Sequence, residues 1–179
     1  MNTPTALLAQ AAGFHVMLVF LAGAVGKLTG FHRFVSTLEA LPFSIPTGWT
    51  VYVAGSVILV EGAIAASILA DGESARAGMI AALGLCLAFS AIVCVVVAGR
   101  MSVTCNCFGS NSHRMSGLDL LRNAGLMASA LAWLRFSEIR PPLLTFDTLL
   151  MFGVAMSASL ISIFLPDLMT AVRRPGATD

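Results

Sequence analysis

The sequence predicts an all-α integral membrane protein with about five membrane-spanning helices. Of its 179 residues, 58% are hydrophobic and 11% are charged, and the mean hydropathy is +0.90, whereas soluble domains carry about 25% charged residues. Five apolar runs reach or approach the roughly 20 residues that a helix needs to cross a bilayer; they cover residues 7–28, 48–70, 77–98, 118–134 and 143–165. The net charge of +1 gives no indication of acidic partners, and we expect no nucleic acid partner.

The first run is interpreted as a helix rather than as a signal peptide. Residues 1–10 contain no Lys or Arg, so the positively charged region of a signal peptide is missing. The small residues Ala22-Gly23-Ala24 resemble a cleavage site, but the run is long enough to span a bilayer. We therefore predict that it remains in the protein as the first membrane helix.

The segment 29–47 is more polar, yet its apolar residues recur at helical spacing. Phe31, Phe34, Leu38 and Leu41 fall on one helical face, and two prolines close the segment. We interpret it as a short interfacial helix under the bundle; the alternative is a lid over a substrate site.

Turn and cap signals separate the remaining helices. Asp71-Gly72-Glu73-Ser74 predicts a tight turn, and Ser116 and Asp119 have the spacing of a capping box at the start of the fourth helix. Pro141-Pro142 separates the last two helices, and residues 173–179 form a short tail that we expect to be disordered. Without an internal repeat or a soluble region, residues 1–179 are predicted to form a single transmembrane domain.

The polar connection 100–117 contains the motif Cys105-Asn106-Cys107-Phe108-Gly109. A disulfide between cysteines one residue apart opposes the usual Cα separation of about 5.5–6 Å, so it should be strained and comparatively oxidising. Such a bond suits thiol–disulfide exchange and makes Cys105 and Cys107 the candidate catalytic pair. The alternatives are a permanent loop staple and a soft-metal site, in which His113 would supply a third ligand.

The other two cysteines, Cys86 and Cys94, lie within the third apolar run. Free cysteine behaves there as a small hydrophobic residue. We therefore interpret both as packing residues.

Ionisable residues in and beside the apolar runs are the second candidate feature, because intramembrane charges are costly and usually face the bundle interior. Helix direction alternates, so Lys27, Arg100 and Arg122 should lie on the side of the cysteines. There they would favour the reactive thiolate or hold a polar ligand head or a quinone carbonyl; the alternative is snorkelling to the interface. For Glu61, in mid-helix, we expect coupling to Arg122, directly or through water; a proton-handling role and a helix-packing hydrogen bond both remain open.

These residues carry a family resemblance in four patterns: Gly23-x-x-Gly26-Lys27-Leu28, Glu61-Gly62, Cys105-x-Cys107-Phe108-Gly109 and Arg122-Asn123. The chain resembles the MauE (methylamine utilisation protein E) branch of the MauE/DoxX membrane proteins across most of the first four helices. The cysteine segment is the specific part of the resemblance.

The resemblance implies a four-helix bundle core, like that of DoxX and of vitamin K epoxide reductase, a quinone-linked disulfide enzyme, plus a C-terminal helix. The family is associated with disulfide formation or maturation of exported proteins, often beside a thioredoxin-like partner. It therefore implies a thioredoxin-like partner, an exported client protein and a quinone as candidate electron acceptor. The second loop cysteine pair of the epoxide reductase is missing here, so the partner would have to supply the additional thiols.

Charge and redox chemistry predict opposite orientations in the membrane. Seven Lys and Arg residues fall on the cysteine side and three on the other, which would place the cysteines in the cytoplasm. Without Lys27, Arg100 and Arg122, which we assign to the site, the count is four against three and decides nothing. Because oxidising dithiols work outside the cytoplasm, we predict a multi-pass protein of the inner or plasma membrane with its cysteine loop outside.

Three hypotheses follow from the sequence. The first is a membrane thiol–disulfide oxidoreductase, or a factor that assists one, and the second is a protein that binds or transports a soft metal. The third is a non-catalytic membrane subunit that scaffolds a larger complex.

Overall fold

The computed structural model describes residues 4–43, 46, 48–70, 72–105, 113–136 and 146–173. They form six α-helices: α1 (Pro4–Thr29), α2 (Phe31–Glu39), α3 (Thr50–Leu69), α4 (Glu73–Ala98), α5 (Gly117–Phe136) and α6 (Phe146–Arg173). Two short strands, β1 (Thr104–Cys105) and β2 (His113–Arg114), pair antiparallel in the connection between α4 and α5. The predicted all-α class is confirmed, and the strand pair is an addition that the sequence did not indicate.

Four described helices are long and apolar enough to cross a membrane: α1, α3, α4 and residues Phe146–Phe164 of α6. α5 has 20 residues, as many as α3, but Asp119, Arg122 and Asn123 lower its hydropathy. The sequence predicts five membrane spans, whereas four of the described helices meet the length and composition of a span. α5 is the more polar member of the same bundle.

The bundle core is a ring of α1, α3, α4 and α5. α1 packs against α3 and α5, and α4 completes the ring by packing against the same two helices. α6 lies outside this ring and packs mainly against α1. The arrangement matches the predicted four-helix core with an added C-terminal helix.

Several helix ends differ from the sequence prediction, and the backbone explains one of them. α4 begins at Glu73, within the predicted turn, because Gly72 adopts φ 70° and ψ −130°, a region that only glycine enters readily. Asp71 lies outside the described residues. α6 continues to Arg173, past the predicted end at residue 165, so the predicted tail loses its first residue to the helix.

Two apolar clusters fill the bundle. The larger one joins α1, α3, α4 and α5 and includes Val16, Phe20, Met79 and Trp133. The smaller one lies at the end of the bundle that carries the cysteine loop, hereafter the cysteine end, where α2 packs over the termini of α3 and α4. The predicted amphipathic helix is confirmed as α2, which buries Phe34, Thr37 and Leu38.

Candidate functional site

A cavity with a mostly apolar lining and a few charged groups lies at the cysteine end of the bundle. Its volume is about 60 Å³, more than the roughly 10–15 Å³ that one water molecule needs. All four ring helices line it, and α2 and Met115 complete its wall. Its ionisable lining residues are Lys27, Glu61, Asp119 and Arg122.

Lys27 and Glu61 form a buried ion pair between α1 and α3. The Lys27 Nζ donates to Glu61 Oε1 at 2.7 Å and to Oε2 at 2.8 Å, and the two side chains are 3% and 5% exposed. Gly23 provides the space, because a Cβ there would lie 3.4 Å from both Lys27 Nζ and Glu61 Oε2. Gly23 therefore lies one helical turn before Lys27, on the face of α1 that carries the pair, and an added Cβ would touch both side chains at ordinary contact distance.

The Lys27 ammonium also lies near two aromatic rings. Its Nζ is 5.5 Å from the ring centroid of Phe34 on α2 and 5.6 Å from that of Phe89 on α4, within the range of a cation–π interaction. Lys27 therefore contacts side chains from three other helices, with Glu61 as its ionic partner.

A second ion pair joins Asp119 and Arg122 within the first turns of α5. Arg122 Nη2 lies 3.5 Å from Asp119 Oδ1, and the side chains are 8% and 1% exposed. Asp119 Oδ2 also accepts a hydrogen bond from the Ser116 backbone N–H at 2.9 Å, and Ser116 Oγ accepts one from the Leu118 N–H. The predicted cap is confirmed, and its carboxylate also lines the cavity.

Hydrogen bonds fix the two ends of the cysteine loop beside the cavity, next to the lining residues Thr37 and Met115. The Met115 N–H donates to the Val103 carbonyl at 3.0 Å, and Val103 is 3% exposed. On α2, the Thr37 hydroxyl donates to the Thr104 carbonyl at 3.1 Å and to the carbonyl of Arg33 at 3.0 Å. Thr104, the first residue of β1 and the neighbour of Cys105, is therefore bonded directly to α2.

The structure reaches only one of the two candidate cysteines. Cys105 is described through its backbone in β1, opposite His113 of β2 in the strand register. Cys107 lies outside the described residues, so the catalytic pair remains a prediction. Within the described residues no group of three or more His, Cys, Asp or Glu side chains could hold a metal ion.

Of the supporting residues, Lys27, Glu61 and Arg122 are brought together and Arg100 is not. Arg100 is exposed and does not line the cavity. Its φ of 52° and the bonds from Arg100 N to Val97 O and from Met101 N to Val96 O are those of a helix C-terminal motif. Its described role is to end α4.

The expected Glu61–Arg122 relationship takes a different form from a direct pair. Glu61 bonds to Lys27, and Arg122 pairs with Asp119. All four line the same cavity, so coupling through water remains a prediction. The direct partner was missed because sequence spacing gives depth along a helix but not the direction in which a side chain leaves it.

The two membrane cysteines have different surroundings. Cys86 is 3% exposed and belongs to the larger apolar cluster, as predicted, but it also lines the cavity that holds the ion pairs. Cys94 is exposed on the surface of α4, so its interpretation as a packing residue is wrong.

Sequence reasoning missed several residues of the site. Asp119 was identified as a cap and not as a cavity carboxylate; its position three residues before Arg122 was the available signal. Asn123, 4% exposed, donates to Ser90 Oγ on α4 at 3.2 Å, and Thr37 bonds the cysteine strand. For Thr37 no sequence pattern gave a signal, because its partner is a backbone carbonyl 67 residues away.

The cavity therefore contains two carboxylates and two cations, each paired within reach of its neighbours. Such groups inside a membrane usually mark proton or ligand pathways. Paired acidic and basic groups beside space for water can exchange protons, and most of the side chains around them are apolar.

Comparison with known proteins identifies one family. The family described as "Methylamine utilisation protein MauE" matches residues 5–136, which cover α1 to α5 and exclude α6. No curated protein and no solved structure is significantly similar to the chain. Since the match spans well over half of the sequence, the chain belongs to the MauE family.

Proposed function

We propose that this member of the MauE family is a membrane thiol–disulfide redox or maturation factor for exported proteins. Cys105 and Cys107 form the exchanging disulfide, and a thioredoxin-like protein is the partner. The observation that carries the proposal is the attachment of the Cys105 strand to Thr37 of α2, which lines a cavity with two buried ion pairs. A scaffold subunit would have no need for charged groups in that position, because they cost desolvation energy.

The proposed disulfide exchange conserves electrons and protons. When a client dithiol becomes a disulfide, the Cys105–Cys107 bond breaks and two thiols form. Restoring that bond releases two electrons and two protons, which pass to an acceptor. A quinone is a suitable acceptor class, since it takes up both, and the cavity's carboxylates provide proton-exchanging groups near the loop.

The redox activity is tested by thiol trapping of the protein in native membranes across a titration of redox buffer. We expect a reversible Cys105–Cys107 disulfide with a potential above that of structural bridges, which lie below about −300 mV. The exposed Cys94 is the matched control, because Cys94→Ser should leave the titration unchanged. A bond that resists reduction to about −300 mV would identify a permanent staple.

The partner requirement follows from the cysteine inventory. Cys86 and Cys94 are eight residues apart on α4, about 12 Å along the helix axis, too far for a disulfide. A second thiol pair must then come from another protein. Cys105→Ser or Cys107→Ser should trap a thioredoxin-like protein as a mixed disulfide, and purified protein that oxidised a reduced client with a quinone alone would contradict this requirement.

Soft-metal binding is the second candidate, and one observation favours it. Cys105 and His113 are opposite partners in the register of β1 and β2, and thiolate and imidazole are both ligands of soft or borderline metals. Metal analysis of the purified reduced protein separates the two functions. Copper or zinc bound in equal molar amount, and lost in both Cys105→Ser and His113→Ala, would support the metal site.

The orientation belongs to the proposal as well. We place the cysteine loop outside the cytoplasm, because that is where dithiol oxidants operate. An impermeant thiol reagent added to intact cells should then label reduced Cys105 and Cys107. Labelling only after the cytoplasmic face is opened would reverse the orientation, in agreement with the excess of Lys and Arg on that side.

A further inference from the structure

We propose that α2 couples the Lys27–Glu61 ion pair to the strand that carries Cys105. In this arrangement the state of a buried pair inside the membrane controls how firmly the cysteine strand is held. The inference rests on the proposed function for its biological meaning, since it describes the regulation of the same cysteine site.

The coupling begins at the buried end of α2. Phe34 is 2% exposed, and its ring centroid lies 5.5 Å from Lys27 Nζ. Glu61 fixes that ammonium with two hydrogen bonds. If the pair loses its charge, Phe34 loses the cation that faces it, and the buried face of α2 loses one of its contacts with α1.

The coupling ends at Thr37, one helical turn after Phe34 on the same buried face. Thr37 is 5% exposed, and its hydroxyl connects α2 to the Thr104 carbonyl. α2 is only nine residues long, so a shift at Phe34 should move Thr37 with it as one rigid turn of helix. Thr104 precedes Cys105 directly, which brings the effect to the candidate thiol.

α2 has the properties of an element that can move as a unit. It follows α1 through Gly30, and its other face is exposed at His32, Ser36 and Glu39. Its N-cap Gly30 has no side chain to cap the helix, and backbone hydrogen bonds from Gly30 N to Gly26 O and from Phe34 N to Gly30 O join it to α1. Its side-chain attachments to the rest of the described protein are on the buried face, which carries both Phe34 and Thr37.

The test measures the alkylation rate of Cys105 in the reduced, full-length protein in native membranes, with a membrane-permeant maleimide and peptide mass spectrometry. Thr37→Val removes the hydroxyl but keeps the side-chain shape, and we expect alkylation about fivefold faster, the change that one ordinary hydrogen bond allows. Thr37→Ser restores the hydroxyl and should return the rate to that of the wild type.

Ser36→Ala is the matched control on α2. Ser36 makes the same kind of bond to a carbonyl one turn earlier, that of His32, but it is exposed. Its replacement should leave the Cys105 rate unchanged. Equal rates in wild type and Thr37→Val, or equal rates in Thr37→Val and Thr37→Ser, would overturn the role of the hydroxyl.

The link to the ion pair is tested with Lys27→Met/Glu61→Gln, which removes both charges together. This double variant should also raise the Cys105 rate about fivefold, and adding Thr37→Val should raise it no further, because both act through α2. If the rate increases of Lys27→Met/Glu61→Gln and of Thr37→Val multiplied in the combined variant, the ion pair and the Thr37 hydroxyl would act separately. That result would overturn the coupling. Alkylation needs no redox partner, so the coupling can hold where the redox titration fails, and the two proposals are tested independently.

Discussion

Two polar clusters lie among the membrane helices of this protein, and they are built from different groups. The cluster at the cysteine end is ionic: Lys27 pairs with Glu61 between two helices, and Arg122 pairs with Asp119 beside the same cavity. All four residues lie inside the range that matches the MauE family.

The second cluster is the seam between α1 and α6, and side-chain hydrogen bonds and ring packing join the two helices there. His15 Nδ1 lies 3.0 Å from Ser159 Oγ, and the Gln10 amide donates to Thr148 Oγ1 at 3.2 Å. The Phe14 and Phe152 rings add an edge-to-face contact with centroids 5.5 Å apart. α6 lies beyond the matched range.

The difference distinguishes contacts that attach one helix to another from charged groups that can take part in chemistry. Interhelical hydrogen bonds in membranes contribute about 0.6 kcal/mol each on average, and the seam joins α6 to α1 through such bonds and ring packing. Ion pairs carry a desolvation cost that packing alone does not require. The charges at the cysteine end therefore indicate function, while the seam holds the C-terminal helix in place.

The largest effect should come from breaking the Lys27–Glu61 pair. Lys27→Met or Glu61→Gln leaves one buried group without its partner and should lower the free energy of unfolding by about 3–5 kcal/mol, measured by denaturant titration in detergent. The double variant should recover much of that stability but not the redox activity. Recovery of both would mean that the pair serves packing, as the seam does.

Adding Arg122→Gln to these variants tests the relationship between Glu61 and Arg122. A double-mutant cycle should give a larger interaction energy for Glu61 with Lys27 than for Glu61 with Arg122. Two equal interaction energies would instead describe one cluster of four charges.

The next effect is steric and contrasts two glycines of α1. A Cβ at Gly13 would lie 2.8 Å from Trp133 Cδ1, so Gly13→Ala should cost about 1–3 kcal/mol of stability while redox activity remains. A Cβ at Gly23 meets the ion pair at 3.4 Å, so Gly23→Ala should cost little stability but reduce activity. Gly84→Ala, with nothing within 4 Å of its added methyl, is the control for helix propensity.

The contrast between the clusters also shows which parts of the fold and of the site can be predicted from the sequence. Hydropathy predicted the helices, and helix direction placed Lys27 and Arg122 on the cysteine side, whereas Glu61 was expected in mid-helix. Side-chain direction decided the pairing, and that depends on how the helices rotate about their axes. For the same reason the seam was not predicted, since His15 and Ser159 lie 144 residues apart without a charge to mark them.

A change at Arg100 tests whether this residue belongs to the ionic cluster. Its left-handed backbone, with φ 52°, costs a non-glycine residue roughly 1–2 kcal/mol, so Arg100→Gly should raise the unfolding free energy by about 1 kcal/mol. Redox activity should stay unchanged if ending α4 is the residue's role. Loss of activity in a stabilised variant would return Arg100 to the site through its charge.

The smallest effect is expected in the seam. Ser159→Ala removes the hydroxyl that faces His15, and because such bonds average about 0.6 kcal/mol in membranes, the unfolding free energy should fall by about that amount. Ser157 is the matched control on α6: it bonds the Gly153 carbonyl as Ser159 bonds that of Ala155, but it is exposed. Ser157→Ala should change the unfolding free energy less than Ser159→Ala does, and neither should alter the redox titration of Cys105 and Cys107. If Ser159→Ala shifted that titration, α6 would take part in the chemistry, and the division between an ionic functional end and a neutral structural seam would be wrong.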